Sequence, residues 1–250
     1  MTVILAIDSS TEACSVALLR QTKSKTETET KTEIVSDSQI AVRQHNNVIL
    51  PMVEKVLAEA GNTLGQVDLI AFGRGPGSFV GVRVGCGVAQ GLAFGIDCPV
   101  VAVSTLRAMA QGAHRKLGAT AVMAVIDARM KEIYWGVFGL DQQNHMQPLV
   151  DEIVCPPEAA VFPASCQSVT SDWAAVGTGW SYQERILEGI ALPESRITGV
   201  EEQWFPDAQD IAVLALPEYE AGKAVSAEQA QPVYLRDKVV QTPAKKTPVG

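Results

Sequence analysis

Two stretches of the chain, residues 1–20 and 120–138, resemble each other. Each is an apolar run that ends in Ile-Asp, at Asp8 and at Asp127, and is followed by a short polar break and a second β-prone run. This pattern is typical of a strand, a tight turn and a strand. A repeat whose period is about half of the chain predicts two related lobes with a cleft between them. In such a cleft, the two Asp-bearing turns are expected to face one ligand.

The distribution of charge supports a division near the middle of the 250 residues. Residues 1–117 carry 11 basic and 10 acidic side chains, whereas residues 118–250 carry 9 and 18. The net charge of the whole chain is −8. An acidic chain is a poor sole binder of nucleic acid, because the neutralisation of phosphates supplies most of that affinity.

These observations predict two lobes and a tail. The N-terminal lobe is expected over 1–105, with the strand hairpins, an insert at 22–33 and two interface helices. The C-terminal lobe is expected over 106–240, with a last helix near 208–222 that could pack back on the first lobe, and residues 241–250 are expected to form a loose tail. The insert alternates threonine with charged residues, which could extend a hairpin or form a mobile tip, and we expect the tip.

Periodicity and end signals predict a mixed α/β chain. Strands are expected near 2–8, 13–20, 33–39, 67–73 and 99–103, and helices near 46–60, 80–94, 104–117, 179–189 and from 207 onwards. Ser104 and Asp207 are expected to cap the helices that follow them. Pro217 is expected to kink or end the last helix.

The five cysteines indicate buried, reduced thiols, because no two of them have the spacing of a metal knuckle or a redox pair. The N-terminus enters a strand directly, with no basic segment and no cleavage site. No apolar run approaches the roughly 20 residues that span a bilayer. We therefore expect a cytoplasmic protein with no membrane contact.

The loop at 73–81 has the densest glycine signal, between a predicted strand and a predicted helix. Backbone amides in such a position can bind an anion. No Gly-Lys-Ser/Thr follows, Ser78 occupies the third glycine position of a dinucleotide fingerprint, and Pro76 lacks an N–H donor. A tight structural turn is therefore at least as good an interpretation of this loop as an anion-binding site.

The next helix contains two series of glycines, each spaced by four residues. They are Gly77, Gly81 and Gly85, and then Gly87, Gly91 and Gly95. Four of these lie inside the helix, and each costs about 1 kcal/mol relative to alanine, roughly 4 in all. Residues spaced by four share a face, so the glycines form two bare ridges that allow another backbone to come close. One ridge can pack inside the protein, and the other predicts a second close neighbour such as a helix of a partner subunit.

Three segments resemble the TsaB (YeaZ) family of bacterial proteins of tRNA threonylcarbamoyladenosine synthesis. They are IDSSTEACSVAL at 7–18, GRGPGSFVGVRVG at 73–85 and PVYLR at 232–236, and the second is the most specific. The resemblance implies the duplicated two-lobe fold of actin, sugar kinases and heat-shock chaperones (the ASKHA fold), with a mixed sheet and flanking helices in each lobe. It also implies a partnership with the catalytic paralogue TsaD and the ATPase TsaE. These proteins together transfer a threonylcarbamoyl group from its adenylate to N6 of the adenosine that follows the anticodon.

The residues at the cleft favour a subunit without catalysis of its own. Kinases of this superfamily use an Asp-x-Gly-type turn in each lobe, but the first turn here lacks the glycine and the second has Arg129 in its place. Catalytic relatives of the TsaD type carry two histidines four residues apart on the first helix, a spacing suited to a metal. Here His45 is followed by Ile49. Gly177 and Gly179 could belong to a remnant of the adenosine-binding turn or to a strand-to-helix turn, and we favour the turn.

Two sets of candidate site residues follow, and no catalytic residue, metal or cofactor is predicted. The residual nucleotide cleft comprises Asp8, Ser9, Ser10, Thr11, Asp127, Gly177 and Gly179. The interface comprises Ile49, Met52, Val53, Val56, Gly77, Gly81, Arg83, Gly85, Gly87, Val88 and Gly91, on the helices at 46–60 and 80–94. Arg74 and Arg83 flank the glycine loop and could reach a partner carboxylate or a phosphate.

The main hypothesis is a non-catalytic partner subunit for a TsaD-like catalytic paralogue and a TsaE-like ATPase. We expect the chain to associate with itself when alone and to meet tRNA only through the complex. The alternative is an active ATP-dependent phosphotransferase that uses Asp8 and Asp127 across the cleft.

Overall fold

The computed structural model describes residues 1–23, 30–162, 166, 172–190 and 192–236. The strands of the first sheet are β1 Thr2–Asp8, β2 Ala13–Lys23, β3 Thr30–Ile40, β4 Leu69–Gly73 and β5 Val100–Val103. Those of the second are β6 Ala121–Arg129, β7 Glu132–Leu140, β8 Met146–Pro148, β9 Ile153–Cys155, β10 Trp173–Val176 and β11 Ile197–Glu201. The helices are α1 His45–Glu59, α2 Phe79–Ile96, α3 Thr105–Leu117, α4 Gln183–Gly189 and α5 Ala208–Glu220.

Two mixed sheets with flanking helices form the two lobes, which confirms the predicted fold class. The strand order is β3-β2-β1-β4-β5 in the first sheet and β11-β10-β6-β7-β8 in the second, where β9 pairs with β7. In both lobes the repeated segment is an antiparallel hairpin, with Asp8 opposite Ser15 and Asp127 opposite Ile133. A parallel strand then pairs with the Asp-bearing strand, β4 with β1 and β10 with β6. The repeat in the sequence is therefore a repeat in the fold.

The hairpin of β2 and β3 is longer than expected. The two strands pair from Ala13 opposite Ile40 to Lys23 opposite Thr30. The expected tip over 22–33 is therefore wrong for residues 22–23 and 30–33, and residues 24–29 lie outside the described residues. Threonine favours strands because its branched side chain fits a pleated surface, which explains why the strands continue.

The N-terminal sheet is covered on one face by α1 and α2. The apolar stripe of α1, including Ile49 and Val56, packs in one core cluster with Leu5 and Phe72 of the sheet. Full burial of one such side chain contributes about 1.5–3 kcal/mol. This stripe therefore holds α1 on its own sheet.

The other face of the N-terminal sheet is covered by α5. Ile211 and Leu214 pack there against Ile4 of β1 and Leu69 of β4. The chain then continues along the same lobe, because residue 225 forms a bridge with Val100 and the side chain of residue 90 donates to the backbone of residue 230. The helix α5 and the segment up to residue 230 thus pack on the N-terminal lobe, whereas Arg236 pairs with Glu132 of the second lobe.

The C-terminal lobe is built around β6 and β7. On one face, α3 packs through Leu106 and Met109 against Phe138. On the other face, Trp135 and Trp180 are fully buried with the side chains of α4. The helix predicted near 179–189 begins as a 3-10 turn over Thr178–Tyr182 before α4.

The predicted end signals agree with the structure in most places. The Ser104 side chain accepts a hydrogen bond from the backbone N–H of Arg107, and Asp207 accepts one from Gln209. Pro217 lies inside α5, which continues to Glu220. The tail over 241–250 lies outside the described residues.

One expectation about membranes needs correction. By length and composition alone, α2 with its 18 residues is able to cross a membrane. Its buried side chains, including Cys86, Ala89 and Ala93, pack in the core of the N-terminal lobe. These residues hold one side of α2 on the N-terminal sheet.

Candidate functional site

A cavity of about 1120 Å³ lies between the two lobes. One wall is formed by the turn after β1 and by the N-termini of α1 and α2. The opposite wall is formed by residues 126–130 at the β6–β7 turn, and residues 233–236 close one side. This volume is sufficient for a small molecule.

Asp8 does not face this cavity. It is 1% exposed and lies beneath the turn that follows β1. Its Oδ1 accepts a hydrogen bond from the backbone N–H of Ser10 at 3.0 Å, and the Ser10 hydroxyl donates to the carboxylate at 2.9 Å. Burial raises the pKa of Asp8 to about 7, although the hydrogen bonds from Ser10 act in the opposite direction. The expectation that both Asp residues face one ligand is therefore wrong for Asp8.

The first glycine ridge covers this turn. The Ser9 hydroxyl donates to the carbonyl oxygen of Gly81 at 2.8 Å, and the backbone N–H of Ser78 donates to the carbonyl oxygen of Ser10 at 2.7 Å. A Cβ on Gly77 or Gly81 would overlap a carbonyl oxygen of the turn, and one on Gly85 would crowd the Ser9 hydroxyl. This ridge therefore packs inside the protein. It belongs to the Asp8 turn and cannot be an interface with a partner.

Asp127 lies in the wall of the cavity and is already paired. Its Oδ1 accepts a hydrogen bond from the backbone N–H of Arg129 at 2.8 Å, and its Oδ2 pairs with the Arg129 guanidinium at 2.9 Å. The same guanidinium reaches Glu12 of the first hairpin at 3.4 Å. The backbone N–H of Asp127 donates to Thr178 Oγ1 at 3.1 Å. Arg129 thus links the two hairpins across the cleft.

The β6–β7 turn adopts an unusual backbone. Arg129, Met130 and Lys131 all have positive φ values, of 63°, 57° and 63°. Side chains other than glycine adopt this region at a cost of about 1 kcal/mol or more each. No residue of the turn after β1 has a positive φ value.

Gly177 and Gly179 pack beneath the second hairpin. Gly177 has φ +107°, and a Cβ on either residue would overlap atoms of Val125 in β6. The two glycines are therefore needed for the close approach of the turn between β10 and the following 3-10 helix to β6. Thr178 and Thr11 line the cavity, whereas Gly177, Gly179 and Ser9 do not.

The four predicted interface residues of α1 are core residues. Ile49, Met52, Val53 and Val56 are at most 3% exposed. Because an amphipathic helix turns its apolar stripe toward its own core, this stripe cannot be the partner surface. The prediction for these four residues is wrong.

The second glycine ridge is open. A Cβ added to Gly87, Gly91 or Gly95 would meet no atom within 4 Å. Phe94, on the same helix, is 73% exposed. Val88 is half-buried against the core. These glycines leave a flat strip of exposed backbone on α2.

Arg74 and Arg83 have different surroundings. The Arg83 guanidinium stacks on the Phe79 ring at 3.4 Å and lies 4.8 Å from the Tyr234 ring. Arg74 lies at a second, smaller cavity of about 360 Å³ that Glu152 also lines. Burial raises the pKa of Glu152, and Arg74 lowers it by a smaller amount. The two arginines therefore do not form one site.

The sequence analysis missed the exposed apolar rim of the large cavity. Val42, Phe79, Val80, Met130 and Tyr234 are exposed large apolar residues that line it. They come from four separate segments, so no periodic pattern could have found them. No group of three or more His, Cys, Asp or Glu side chains in the described part of the chain is placed to hold a metal ion.

Comparisons with known proteins agree with this architecture. Residues 31–244 match the family model described as TsaD: tRNA N6-adenosine threonylcarbamoyltransferase. The chain is similar to the tRNA threonylcarbamoyladenosine biosynthesis protein TsaB of Escherichia coli, with 41% identity over 94% of this chain and 95% of that protein. It is 30% identical to TsaB of Bacillus subtilis over 93% of each chain.

Two solved structures from Pseudomonas aeruginosa have a similar fold. One is YeaZ, with a TM-score of 0.81 and 45% identity. The other is an uncharacterized protein with similarity to peptidase YeaZ, with a TM-score of 0.83 and 44% identity. Each covers 94% of this chain and 100% of its own. The two-lobe fold expected from the sequence is therefore shared with these proteins.

Proposed function

The chain belongs to the TsaB family of tRNA threonylcarbamoyladenosine biosynthesis proteins, and from this premise we propose that it is the non-catalytic partner subunit in that modification. It binds and organises a TsaD-like catalytic subunit, together with a TsaE-like ATPase. The complex transfers the threonylcarbamoyl group from its adenylate to N6 of the adenosine that follows the anticodon. The chain itself works in the cytoplasm, away from membranes, and needs no cofactor.

The open glycine ridge of α2 is the observation that carries this proposal. Gly87, Gly91 and Gly95 reduce the intrinsic helix stability by about 1 kcal/mol each relative to alanine, and nothing within the described chain packs on them. A second helix that crosses here could approach the α2 backbone closely. The exposed Phe94 beside the ridge supplies an apolar anchor of the kind that dominates interface energetics. In the absence of the catalytic subunit, a second copy of the chain occupies the same ridge.

The environments of the two Asp residues support a role without catalysis. Both oxygens of Asp8 accept hydrogen bonds from Ser10 inside the protein. Asp127 is neutralised by Arg129. Because Asp8 is buried away from the cleft and Asp127 already pairs with Arg129, neither presents an unpaired carboxylate in the cleft for Mg²⁺ and phosphate, as a phosphotransferase would require. The alternative of an ATP-dependent phosphotransferase is therefore the weaker one.

Because the chain is acidic, tRNA is bound mainly by the partner proteins in this proposal. Residues 118–250, with 9 basic and 18 acidic side chains, repel phosphate. At physiological salt, the isolated chain should bind tRNA with a Kd of about 10⁻⁴ M or weaker. Tight binding of tRNA by the chain alone would contradict this assignment.

The decisive experiment combines reconstitution with one substitution on the ridge. Modified adenosine is measured in tRNA after incubation with the catalytic subunit, the ATPase and the threonylcarbamoyl donor, with and without this chain. Binding to the catalytic subunit is measured by calorimetry for wild type and for Gly91→Leu. We expect the substitution to weaken binding about tenfold or more, since a side chain on the ridge clashes with a closely packed helix.

Gly199→Leu is the matched control. Gly199 also has open space around it, but it lies in β11 of the other lobe. Circular dichroism establishes that both variants are folded. Wild-type affinity and wild-type modification with a folded Gly91→Leu chain would overturn the assignment of this ridge. Modification that proceeds fully without the chain would overturn the proposed function itself.

A further inference from the structure

The smaller cavity, of about 360 Å³, shares no lining residue with the cleft. It is bounded by β5 of the N-terminal sheet, by the segment that follows α5, and by Pro148 and Glu152 of the C-terminal lobe. Its walls combine apolar side chains, such as that of Val225, with five charged ones. The volume lies at the lower end of the range for small-molecule sites and is sufficient for a molecule of the size of an amino acid.

Three of the five charged side chains compensate one another. The Arg107 guanidinium donates to the backbone carbonyl of Met146 at 2.6 Å and to the side chain of Gln147 at 3.1 Å. Its third nitrogen lies 3.3 Å from one carboxylate oxygen of Glu218, and Lys223 Nζ lies 2.8 Å from the other. Every nitrogen of Arg107 and both oxygens of Glu218 are therefore engaged within the chain.

The other two charged side chains, Arg74 and Glu152, are incompletely paired. The Nε atom of Arg74 is buried without a partner, and no ion pair or hydrogen bond joins its two terminal nitrogens to another described residue. Glu152 Oε1 accepts a hydrogen bond from the Ser104 hydroxyl, whereas no residue in the described part of the chain donates to Oε2. Arg74 acts electrostatically on Glu152 without forming an ion pair with it. Two opposite charges therefore line one cavity without contact.

The electrostatics of Glu152 indicate that a cation is missing beside it. Burial raises the pKa of its carboxyl, and the hydrogen bond from Ser104 and the charges of Arg74 and Arg107 lower this pKa by a smaller amount. The chain therefore does not fully compensate the charged carboxylate. Burial of a charge is costly unless a partner of opposite sign lies beside it. A bound ammonium group would supply that partner.

The edge of β5 adds an unpaired peptide group to the cavity. The backbone N–H of Arg74 donates to the carbonyl oxygen of Val103, so Val103 pairs toward β4. Successive residues of a strand direct their backbone groups to opposite sides, so Val100 and Ala102 face away from β4. Val100 exchanges both of its backbone hydrogen bonds with Val225, but none of the described residues does so with Ala102. Ala102 lines the cavity and offers one donor and one acceptor to a ligand.

We propose that this cavity binds a small zwitterion of the amino-acid type, with its carboxylate on the Arg74 guanidinium and its ammonium group on Glu152. A guanidinium matches the geometry of a carboxylate and forms strong, charge-assisted hydrogen bonds with it. The apolar residues of the walls, such as Val225 and Pro148, contact an aliphatic side chain. Since Arg74 and Glu152 belong to different lobes, the bound molecule contacts both. The site uses no residue of the glycine ridge and does not depend on the partner role.

The test is a titration of the full-length chain with L-valine, followed by NMR through the backbone amide resonance of Ala102. Two analogues each lack one charge: 3-methylbutanoate has no ammonium group, and 2-methylpropan-1-amine has no carboxylate. We expect saturable binding of L-valine at millimolar or lower concentrations. Each analogue should bind about tenfold more weakly or worse, because it loses a hydrogen bond between charged groups. No saturable binding of L-valine, or an analogue that binds as tightly, would overturn the proposal.

Two variants assign the two charges. Glu152→Gln keeps an acceptor for Ser104 and removes the negative charge, so L-valine should lose its advantage over 3-methylbutanoate. Arg74→Gln removes the guanidinium and keeps the backbone hydrogen bonds, so L-valine should lose its advantage over the amine. Arg185→Gln and Glu158→Gln are the matched controls. These two residues pair with each other outside the cavity, and their variants should keep the wild-type preference.

A folded Arg74→Gln or Glu152→Gln chain that keeps the wild-type preference would show that the zwitterion binds elsewhere. If either variant fails to fold, the comparison of the three ligands on the wild-type chain still decides whether both charges are recognised.

Discussion

The two Asp-bearing hairpins have the same pattern in the sequence and opposite environments in the structure. In the first, Asp8 is buried and its carboxylate is held by Ser10. In the second, Asp127 lies at the cleft and pairs with Arg129. The glycines packed on each hairpin explain the difference. Those of α2 contact the residues that follow Asp8, whereas Gly177 and Gly179 contact Val125, which precedes Asp127. In the first hairpin the close contacts lie over the residues after the Asp, and in the second they lie before it.

The largest expected effect concerns the charge of Asp8. Its raised pKa means that the folded chain disfavours the carboxylate, so stability is lost as pH rises from the unfolded pKa of 3.8 toward and above 7. Between about pH 5 and pH 8, the free energy of unfolding of wild type should fall by about 3 kcal/mol relative to Asp8→Asn. Urea unfolding at the two pH values measures this. The matched Asp127→Asn variant should change stability by under about 1 kcal/mol, as for other partly exposed ion pairs. Equal behaviour of the two variants would remove the contrast between the hairpins.

The packing of α2 on the turn of the first hairpin can be disrupted at Gly81. A methyl group there meets the carbonyl oxygen of Ser9, and Gly81→Ala should lower the free energy of unfolding by about 2 kcal/mol. Gly87→Ala, on the open side of the same helix, should raise it by about 1 kcal/mol because alanine favours helix. Thermal and urea unfolding of the two isolated variants test the pair. A higher free energy of unfolding for Gly81→Ala than for wild type would show that α2 is not closely packed on the turn after β1 at this position.

The second hairpin can be relaxed at its turn. Lys131 has φ 63°, a region that glycine adopts freely. Lys131→Gly should therefore raise the free energy of unfolding by about 1 kcal/mol. Glu12→Gly is the comparison in the turn after β1. Glu12 does not have a positive φ value, so this substitution relieves no backbone strain and should not stabilise the chain. A destabilised Lys131→Gly variant would show that the turn is not strained.

The smallest effect is expected for the ion pair between the hairpins. Arg129 has a side chain that is 75% exposed, and such pairs contribute about 0.2–1 kcal/mol. A double-mutant cycle of Arg129→Gln and Glu12→Gln should give a coupling energy below about 0.5 kcal/mol at physiological salt. A larger coupling energy would show that this contact holds the lobes together.

Local signals predicted much of this fold. The hairpins, the caps at Ser104 and Asp207 and the glycine-rich helix all depend on residues that are close in sequence. The burial of Asp8 could not be predicted in this way, because it depends on Gly81, which is 72 residues away from Ser9. The strands of the insert were missed because alternating threonine suits both a strand and a polar loop.

The candidate site was predicted less well than the fold. The apolar stripe of α1 was expected at an interface, although Ile49 and Met52 are core residues. Sequence periodicity identifies an apolar face without identifying what covers it. The contacts of Arg129 with Asp127 and Glu12 arise only where the two hairpins meet. The environment of Arg129 was therefore visible only in three dimensions.

The position of α5 on the N-terminal sheet has a consequence for synthesis on the ribosome. The strands of that sheet are complete at Val103, but Ile211 and Leu214, which cover one of its faces, are translated more than a hundred residues later. At about 5–20 residues per second, that apolar face of the sheet remains exposed for roughly 5–20 seconds before α5 has been translated. The nascent chain is thus open to aggregation or to binding by chaperones throughout the translation of the second lobe. The N-terminal lobe is translated first but completes its fold last.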